Sequence, residues 1–260
     1  MGMESRRYAF RIGSGVPGSL ITPAIKWLLI ANIAVFFLQV FESAFLRTNL
    51  LVQWFGLIPR AVTHGLRLWQ PFTYLFLHGG FWHIFFNMLA LWMFGCDIER
   101  AWGRRRFLNY YFLTGVGAGL INVIVKTIAD PSGQAGALIP TIGASGAIYG
   151  ILIAAAILFP DRQIWIIPFP VMIPMRVYAA IVGAFAFLSA LGSGTGDNVS
   201  HVTHLGGMLV GWWYIRRGSL FFGLRNTVSD WKRRRLRRKF EVYMRNQEKE
   251  PPSRPDNWLN

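Results

Sequence analysis

Residues 142–159 read IGASGAIYGILIAAAILF, an apolar stretch without a charged side chain. A helix needs about 20 mainly apolar residues to cross the hydrocarbon core of a bilayer. Because lipid offers the backbone no hydrogen-bond partners, such a stretch has to be helical. It therefore predicts a transmembrane helix, and it places one polar side chain, Ser145, near the start of that helix.

Five further apolar runs share these properties. The six predicted spans cover about 27–45, 81–94, 107–125, 142–159, 177–191 and 202–215; the second extends upstream through 72–77, and the last is short. A chain of 260 residues has room for six or seven spans but not for a twelve-span transporter. We expect an all-α membrane protein, a six-transmembrane-helix bundle with its core at 25–215, an N-terminal segment at 1–24 and a tail at 216–260.

Basic residues lie outside the apolar runs and orient them. The chain has 27 Lys and Arg against 12 Asp and Glu, a formal net charge of +15. Basic side chains are concentrated at the two ends and in the loops after the second and fourth spans. The positive-inside rule therefore predicts a multi-pass protein with both termini in the cytoplasm. In a bacterium it would lie in the plasma (inner) membrane.

The densest basic run, Lys232–Lys239, lies in the tail. A nucleic-acid-binding arm is one interpretation of such a run. Stacking aromatic side chains are few in this region, however, and a membrane is adjacent. We therefore expect a partly disordered cytoplasmic tail that contacts anionic lipid headgroups, and no nucleic acid partner.

Ser145 is informative because a polar group inside a span is unfavourable unless it has a partner or a function. Gly143 and Gly146 flank it and let another backbone or a substrate approach the hydroxyl. The free N–H groups at a helix start also suit a developing oxyanion. Gly146 and Gly150 form a small-xxx-small pair, which permits tight helix packing. Ser145 could therefore also be one more small packing residue.

His204 lies in the sixth predicted span, with Gly207 and Gly211 three and seven residues further along the same helical face. Those glycines allow the histidine to approach a neighbouring helix. A histidine alone in a span could be a proton relay or a metal ligand. A His/Ser pair on two glycine-faced helices is better explained as a general base and a nucleophile.

His83 and Asn87 lie four residues apart in the second predicted span, on one helical face. Both side chains can donate a hydrogen bond toward the same point, as an oxyanion hole requires. The alternative is an interhelical hydrogen-bonded pair without chemistry.

Metal binding is a further alternative, since several histidines lie in or beside the spans. The candidates are His78, His83, His201 and His204. The chain lacks the His-Glu-x-x-His pattern of zinc proteases, and Glu42 is the one acidic residue within an apolar run. The single cysteine, Cys96, also excludes a multi-cysteine site. We expect neither a metal nor a cofactor.

Taken together, these motifs resemble the rhomboid family of intramembrane serine proteases. The matching pieces are His78-x4-His83-x3-Asn87, Gly143-Ala144-Ser145-Gly146 with Tyr149 four residues after the serine, His204-x2-Gly207-x3-Gly211, and Glu99-Arg100-Ala101-Trp102-Gly103. Three motifs in the expected order, each on the expected helix, are more specific than any one of them. The resemblance covers about residues 25–215.

The resemblance implies a catalytic dyad of Ser145, the nucleophile, and His204, the general base, without an acidic third residue. It also implies an oxyanion hole formed by His83, Asn87 and the Ser145 backbone N–H, with Tyr149 packed against the His204 ring. The substrates would be single-span membrane proteins, cut within or near their transmembrane segment at small or helix-breaking residues.

The first loop departs from the family pattern. Many members have Trp-Arg there, and the matching pair in this chain is Trp69-Gln70. The departure puts a loop-anchoring contact in doubt but leaves the chemistry untouched. Water would reach the site from the non-cytoplasmic side, through a cavity capped by the Gly/Ser-rich loop 192–196.

Two other classes of protein stay open. A catalytically silent rhomboid-like protein would bind membrane proteins without cutting them, but such members usually lack the serine or the histidine. A small channel or transporter would use the polar residues as a solute pathway. It gives no reason for a glycine-flanked Ser145 facing His204.

Overall fold

The computed structural model describes residues 20–132, 134, 136–166, 171–192 and 201–217. The chain divides into two compact units, Met1–Tyr214 and Ile215–Asn260. In the second unit the described residues, 215–217, are helical. The predicted basic tail from 218 onward, most of the predicted segment 1–24 and nearly all of the predicted capping loop lie outside the described residues.

The described part of the first unit is mainly helical. Its helices in chain order are α1 (Pro23–Phe41), α2 (Leu50–Phe55), α3 (Pro59–Thr63), α4 (Gln70–Thr73), α5 (Phe81–Trp102), α6 (Arg104–Ala129), α7 (Ser145–Leu158), α8 (Met175–Gly192) and α9 (201–214). α1 continues into a π-helical turn at Glu42–Leu46, and 3-10 turns lie at Tyr74–Phe76 and Gly136–Leu138. Six of these helices, α1 and α5 to α9, lie where the sequence predicts the six spans.

Four of the described helices are long and apolar enough to cross a membrane: α1 with its π turn, α5, α6 and α8. α7 is apolar but has only 14 residues. Its length of about 21 Å is less than the roughly 30 Å of a bilayer core. By its length alone, α7 is too short to cross that core. The expected all-α membrane protein is confirmed.

α5 continues beyond the predicted boundary at Phe94, and this added part carries a buried ionisable side chain. Glu99 is buried, and its carboxylate accepts hydrogen bonds from the Thr22 hydroxyl and from the backbone N–H of Ala24, at 2.9 Å, and of Ile25, at 3.2 Å. Those N–H groups belong to the first turn of α1, where no intrahelical partner exists. The carboxylate therefore caps α1 and ties it to the far end of α5.

Small residues place α7 at the centre of the bundle, where it packs against α5, α6 and α8. A Cβ at Gly150 would lie 2.6 Å from the Thr114 Cβ of α6. A Cβ at Gly207 would overlap the carbonyl oxygen of Gly146, so the backbones of α7 and α9 touch. Close packing of this kind drives the association of helices in lipid, because the hydrophobic effect does not act between helices there.

The sequence does not predict the antiparallel hairpin between α7 and α8. It pairs β1 (Gln163–Ile166) with β2 (Val171–Pro174), so that Ile164 faces Ile173 and Trp165 faces Met172 across the two strands. Arg162, just before β1, forms an ion pair with Asp97 of α5. The hairpin is therefore held against one end of α5.

The first loop is anchored by the residue that departs from the family pattern. Gln70 is fully buried; its Oε1 accepts from the Ile58 N–H at 3.0 Å, and its Nε2 donates to the Trp54 carbonyl at 3.3 Å. The Trp69 indole donates to the same carbonyl at 2.9 Å. The Gln70 amide therefore anchors the first loop, because it joins α4 to α2 and to the start of α3.

Candidate active site

Ser145 is the first residue of α7, and the backbone before it is held at two points. Thr141 exchanges two backbone hydrogen bonds of 2.9 Å with Leu57, and the Gly143 N–H donates to the Tyr74 carbonyl at 2.9 Å. Gly143 has a φ of +125°, a conformation that residues with a Cβ rarely adopt. The turn at Gly143 thus sets the direction in which Ser145 enters the helix.

His204 of α9 lies beside this serine. Its Nε2 is 2.8 Å from the Ser145 Oγ, within hydrogen-bonding distance. The contact of Gly207 with Gly146 explains why the serine and the histidine are so close. Gly146 directly follows Ser145, and Gly207 lies three residues, less than one turn, after His204. The Nδ1 of His204 is buried and has no hydrogen-bond partner among the described residues, so no carboxylate there completes a triad.

Tyr149, one turn after Ser145 on α7, stacks on the His204 ring. The two ring centroids are 4.2 Å apart, and the planes differ by 5°. Because the tyrosine shares a helix with the serine, this stack fixes the imidazole plane relative to the Ser145 hydroxyl.

His83 of α5 lines the same cavity as Ser145, and its protonation follows from its hydrogen bonds. The Gly79 N–H donates to the His83 Nδ1 at 3.2 Å. Nδ1 is therefore the acceptor, and the proton of the neutral ring is on Nε2. That nitrogen faces the Gly143 backbone, because a Cβ at Gly143 would lie 2.8 Å from it. Nε2–H is thus a donor directed beside the serine.

The Asn87 amide has one of its hydrogens engaged within its own helix. Nδ2 donates to the His83 carbonyl at 3.0 Å. A side-chain amide carries two N–H donors, so the second one is available to a ligand. Asn87 lines the same cavity as His83, Ser145 and His204.

That cavity has a volume of about 1350 Å³ and is mostly apolar. It runs from the serine along the gap between α5 and α8, and it reaches Ile164 and Trp165 of the hairpin. Its lining on the α5 side includes Trp82, Phe86 and Met93. An elongated apolar cavity with a few convergent polar groups is the form expected of a ligand site.

Two further histidines, His78 and His201, lie near His83 and His204. Among the described residues, no group of three or more His, Cys, Asp or Glu side chains is placed to hold a metal ion. His78 is buried with its ring centroid 5.1 Å from that of His83, and His201 lies 5.9 Å from His204 by the same measure.

Sequence reasoning missed two residues near the site, Gly79 and Gln39. Gly79 sets the tautomer of His83 through its backbone, which leaves no side-chain signal in a sequence. Gln39 is a polar residue within the first span, and that placement was a signal. Its amide bonds both backbone groups of His78.

These features define a class: a helical membrane protein that carries a Ser–His pair within its bundle, beside histidine and asparagine donors. The family model described as Rhomboid domain matches residues 65–219, more than half of the chain. The chain therefore belongs to the rhomboid family, as its motifs predict.

Known relatives support the same assignment. The chain is 31% identical over 145 residues to "Rhomboid protein 1, mitochondrial" of Saccharomyces cerevisiae, which covers 55% of this chain and 40% of the relative. It is 30% identical over 191 residues to "Rhomboid protease GluP" of Bacillus subtilis, covering 73% and 34%. It is 31% identical over 146 residues to the human "Presenilin-associated rhomboid-like protein, mitochondrial", covering 55% and 36%. In each case the match spans well under half of the relative's length.

Proposed function

We propose that the protein is an intramembrane serine endopeptidase that cleaves single-span membrane proteins within or near their transmembrane segment. The observation that carries the proposal is the 2.8 Å separation between the Ser145 Oγ and the His204 Nε2, on two helices that meet through glycines. The similarity to a bacterial relative named as a protease supports it.

In the first step, the Ser145 hydroxyl donates its proton to the His204 Nε2 as Oγ attacks the carbonyl carbon of the scissile peptide. The imidazole must begin neutral, with its own proton on Nδ1. Tyr149 holds the ring in the plane that this transfer requires. The imidazolium then gives the proton to the leaving amine, and an acyl-enzyme ester on Ser145 remains.

The tetrahedral intermediates carry a negative oxygen that needs donors. The Ser145 backbone N–H is one of the four at a helix start without an intrahelical partner. The His83 Nε2–H and the second Asn87 N–H lie in the same cavity. Such preorganised donors are each worth about 10²–10³ in kcat. A water molecule, deprotonated by His204, then attacks the ester carbon. The imidazolium returns the proton to the Ser145 Oγ as the ester C–O bond breaks, and the acid product leaves.

The substrate class follows from the chemistry of the cavity. An apolar gap between α5 and α8 suits a transmembrane segment. A helical substrate has its carbonyls in hydrogen bonds, so it must unwind locally before Ser145 can reach one. Small or helix-breaking residues lower the free energy of that unwinding. The basic loops support an orientation with both termini in the cytoplasm and lipid headgroups near the basic tail.

The test is cleavage of a single-span model substrate by the full chain in liposomes, together with labelling by a fluorophosphonate. We expect Ser145→Ala to abolish both, His204→Ala to abolish labelling, and Ser132→Ala, in the loop after α6, to change neither. Cleavage by Ser145→Ala at the wild-type rate would refute the proposal. A folded wild-type protein that neither cleaves nor labels would instead be a silent, membrane-protein-binding member of the family.

A further inference from the structure

The Gln39 side chain of α1 bonds to the loop before α5 through both ends of its amide. Its Oε1 accepts from the His78 backbone N–H at 2.9 Å, and its Nε2 donates to the His78 carbonyl at 3.3 Å. A fork of this kind fixes both the position and the rotation of a residue's backbone. His78 itself is almost fully buried, with 2% of its surface exposed.

The next residue in the chain makes the contact that matters for chemistry. The carbonyl that Gln39 holds belongs to the peptide unit whose N–H is that of Gly79. This N–H donates to the His83 Nδ1 at 3.2 Å, and the proton of the neutral ring is consequently on Nε2. Nε2 is the nitrogen that faces Gly143 beside Ser145.

We propose that Gln39 is a positioning residue that keeps the His83 Nε2–H directed toward the reacting carbonyl. It orients the His78–Gly79 peptide, and that peptide holds the tautomer and the ring angle of His83. The inference rests on the proposed function for its catalytic consequence, but the tautomer itself can be observed without catalysis.

A displaced donor stabilises the transition state less, but it leaves the binding of the substrate in the ground state largely unchanged. Complete loss of one oxyanion donor lowers kcat by about 10²–10³. Without Gln39 the donor is displaced but still present. We therefore expect Gln39→Leu to lower kcat by about 10- to 100-fold, with KM changed by less than about threefold, because substrate binding uses the cavity lining.

Two companion variants separate positioning from general damage to α1. When it is ionised, Gln39→Glu keeps an acceptor for the His78 N–H but has no proton to donate to its carbonyl, so its loss of kcat should fall between those of the wild type and Gln39→Leu. Asn32→Leu is the matched control. Asn32 is a buried amide on the same helix, but its Nδ2 bonds to the Leu28 carbonyl of α1 at 2.8 Å. We expect kcat of Asn32→Leu to be within about threefold of wild type.

The decisive measurement combines His83→Ala with Gln39→Leu. If Gln39 acts through His83, its removal has no further effect on kcat once His83 is absent. A 10-fold or larger additional loss in the double variant would show that Gln39 acts elsewhere, and would overturn the inference.

The second measurement is the ¹⁵N NMR spectrum of histidine-labelled protein in liposomes, with His83 assigned by its absence in His83→Ala. We expect the wild type to show Nε2–H at His83, and Gln39→Leu to show a mixture of tautomers.

A folded Gln39→Leu protein that keeps wild-type kcat and a pure Nε2–H signal refutes the inference. If Gln39→Leu does not fold, Gln39→Glu is measured by the same criteria. If the wild type has no protease activity, the proposed function fails, and the NMR result still decides the positioning.

Discussion

A single methyl group at Gly207 tests how the two proposed catalytic helices are brought together. In Gly207→Ala the new Cβ would lie 2.9 Å from the Gly146 carbonyl carbon and would overlap its oxygen. Non-bonded carbon atoms prefer about 3.5–4.0 Å. The helices must therefore separate by about 1 Å. An equal increase would lengthen the Ser145–His204 contact from 2.8 Å to nearly 4 Å, beyond hydrogen-bonding distance.

Two magnitudes follow for Gly207→Ala. A misplacement of about 1 Å at reacting groups lowers the rate by about 10²-fold. Forcing a methyl into a filled interface lowers the free energy of unfolding by about 1–3 kcal/mol. The fluorophosphonate labelling rate of Ser145 measures the first effect, and thermal unfolding in detergent measures the second.

Gly192→Ala is the matched control for this prediction. Gly192 is the last residue of α8, and a Cβ there would meet no atom of the described residues within 4 Å. We expect its labelling rate and unfolding temperature to stay close to wild type. Gly207→Ala protein that unfolds at the wild-type temperature and labels at the wild-type rate would refute the close approach of α7 and α9.

Two further substitutions test the support of the site and of the fold. Tyr149→Leu removes an aromatic pair worth about 0.5–1.5 kcal/mol and should lower the cleavage rate about two- to tenfold. Tyr149→Phe keeps the stack on His204 and is the control. Equal rates for the two variants would contradict the role of Tyr149 in orienting the His204 ring. Glu99→Gln removes a charged acceptor for Thr22 and the start of α1 and should lower the free energy of unfolding by about 1.5–3 kcal/mol. Labelling of Ser145 well below the unfolding temperature should remain normal in that variant, and an unchanged unfolding temperature would contradict the capping role.

Hydropathy alone is enough to find the long helices, but it misses the short elements. α2, α3 and α4 have between four and six residues, too few for an apolar period to become visible. Val171, Met172 and Ile173 form an apolar run that continues into α8. A short apolar run of this kind fits a strand or a buried helix equally well.

The end of α5 illustrates the opposite error. Asp97 and Glu99 lower the local hydropathy, and the predicted span therefore stops at Phe94. In the structure the helix continues to Trp102, because Asp97 pairs with Arg162 and Glu99 caps α1. Both partners are more than 60 residues away in the chain, and no local pattern predicts such contacts.

The meeting of Ser145 and His204 is predictable from the sequence because glycine spacing carries that information. Gly146 and Gly207 mark the faces of two helices that can touch, and each glycine lies near one of the two polar residues. The donor side is less predictable. Whether the His83 proton lies on Nε2 depends on a loop N–H, and whether Asn87 bonds within its own helix depends on its rotamer. Neither is encoded in residue spacing.

Backbone groups do much of the positioning at this site, and the membrane gives a reason. Every polar side chain placed in lipid is unfavourable unless it is partnered. Peptide groups are present in any case and must be hydrogen-bonded. Here the Gly79 N–H sets the His83 tautomer, the turn at Gly143 aims Ser145, and the bare backbone of Gly207 brings His204 close. A site built this way needs few polar residues, but it tolerates no added atom where two backbones meet. The glycines should therefore be as sensitive to substitution as the proposed catalytic residues.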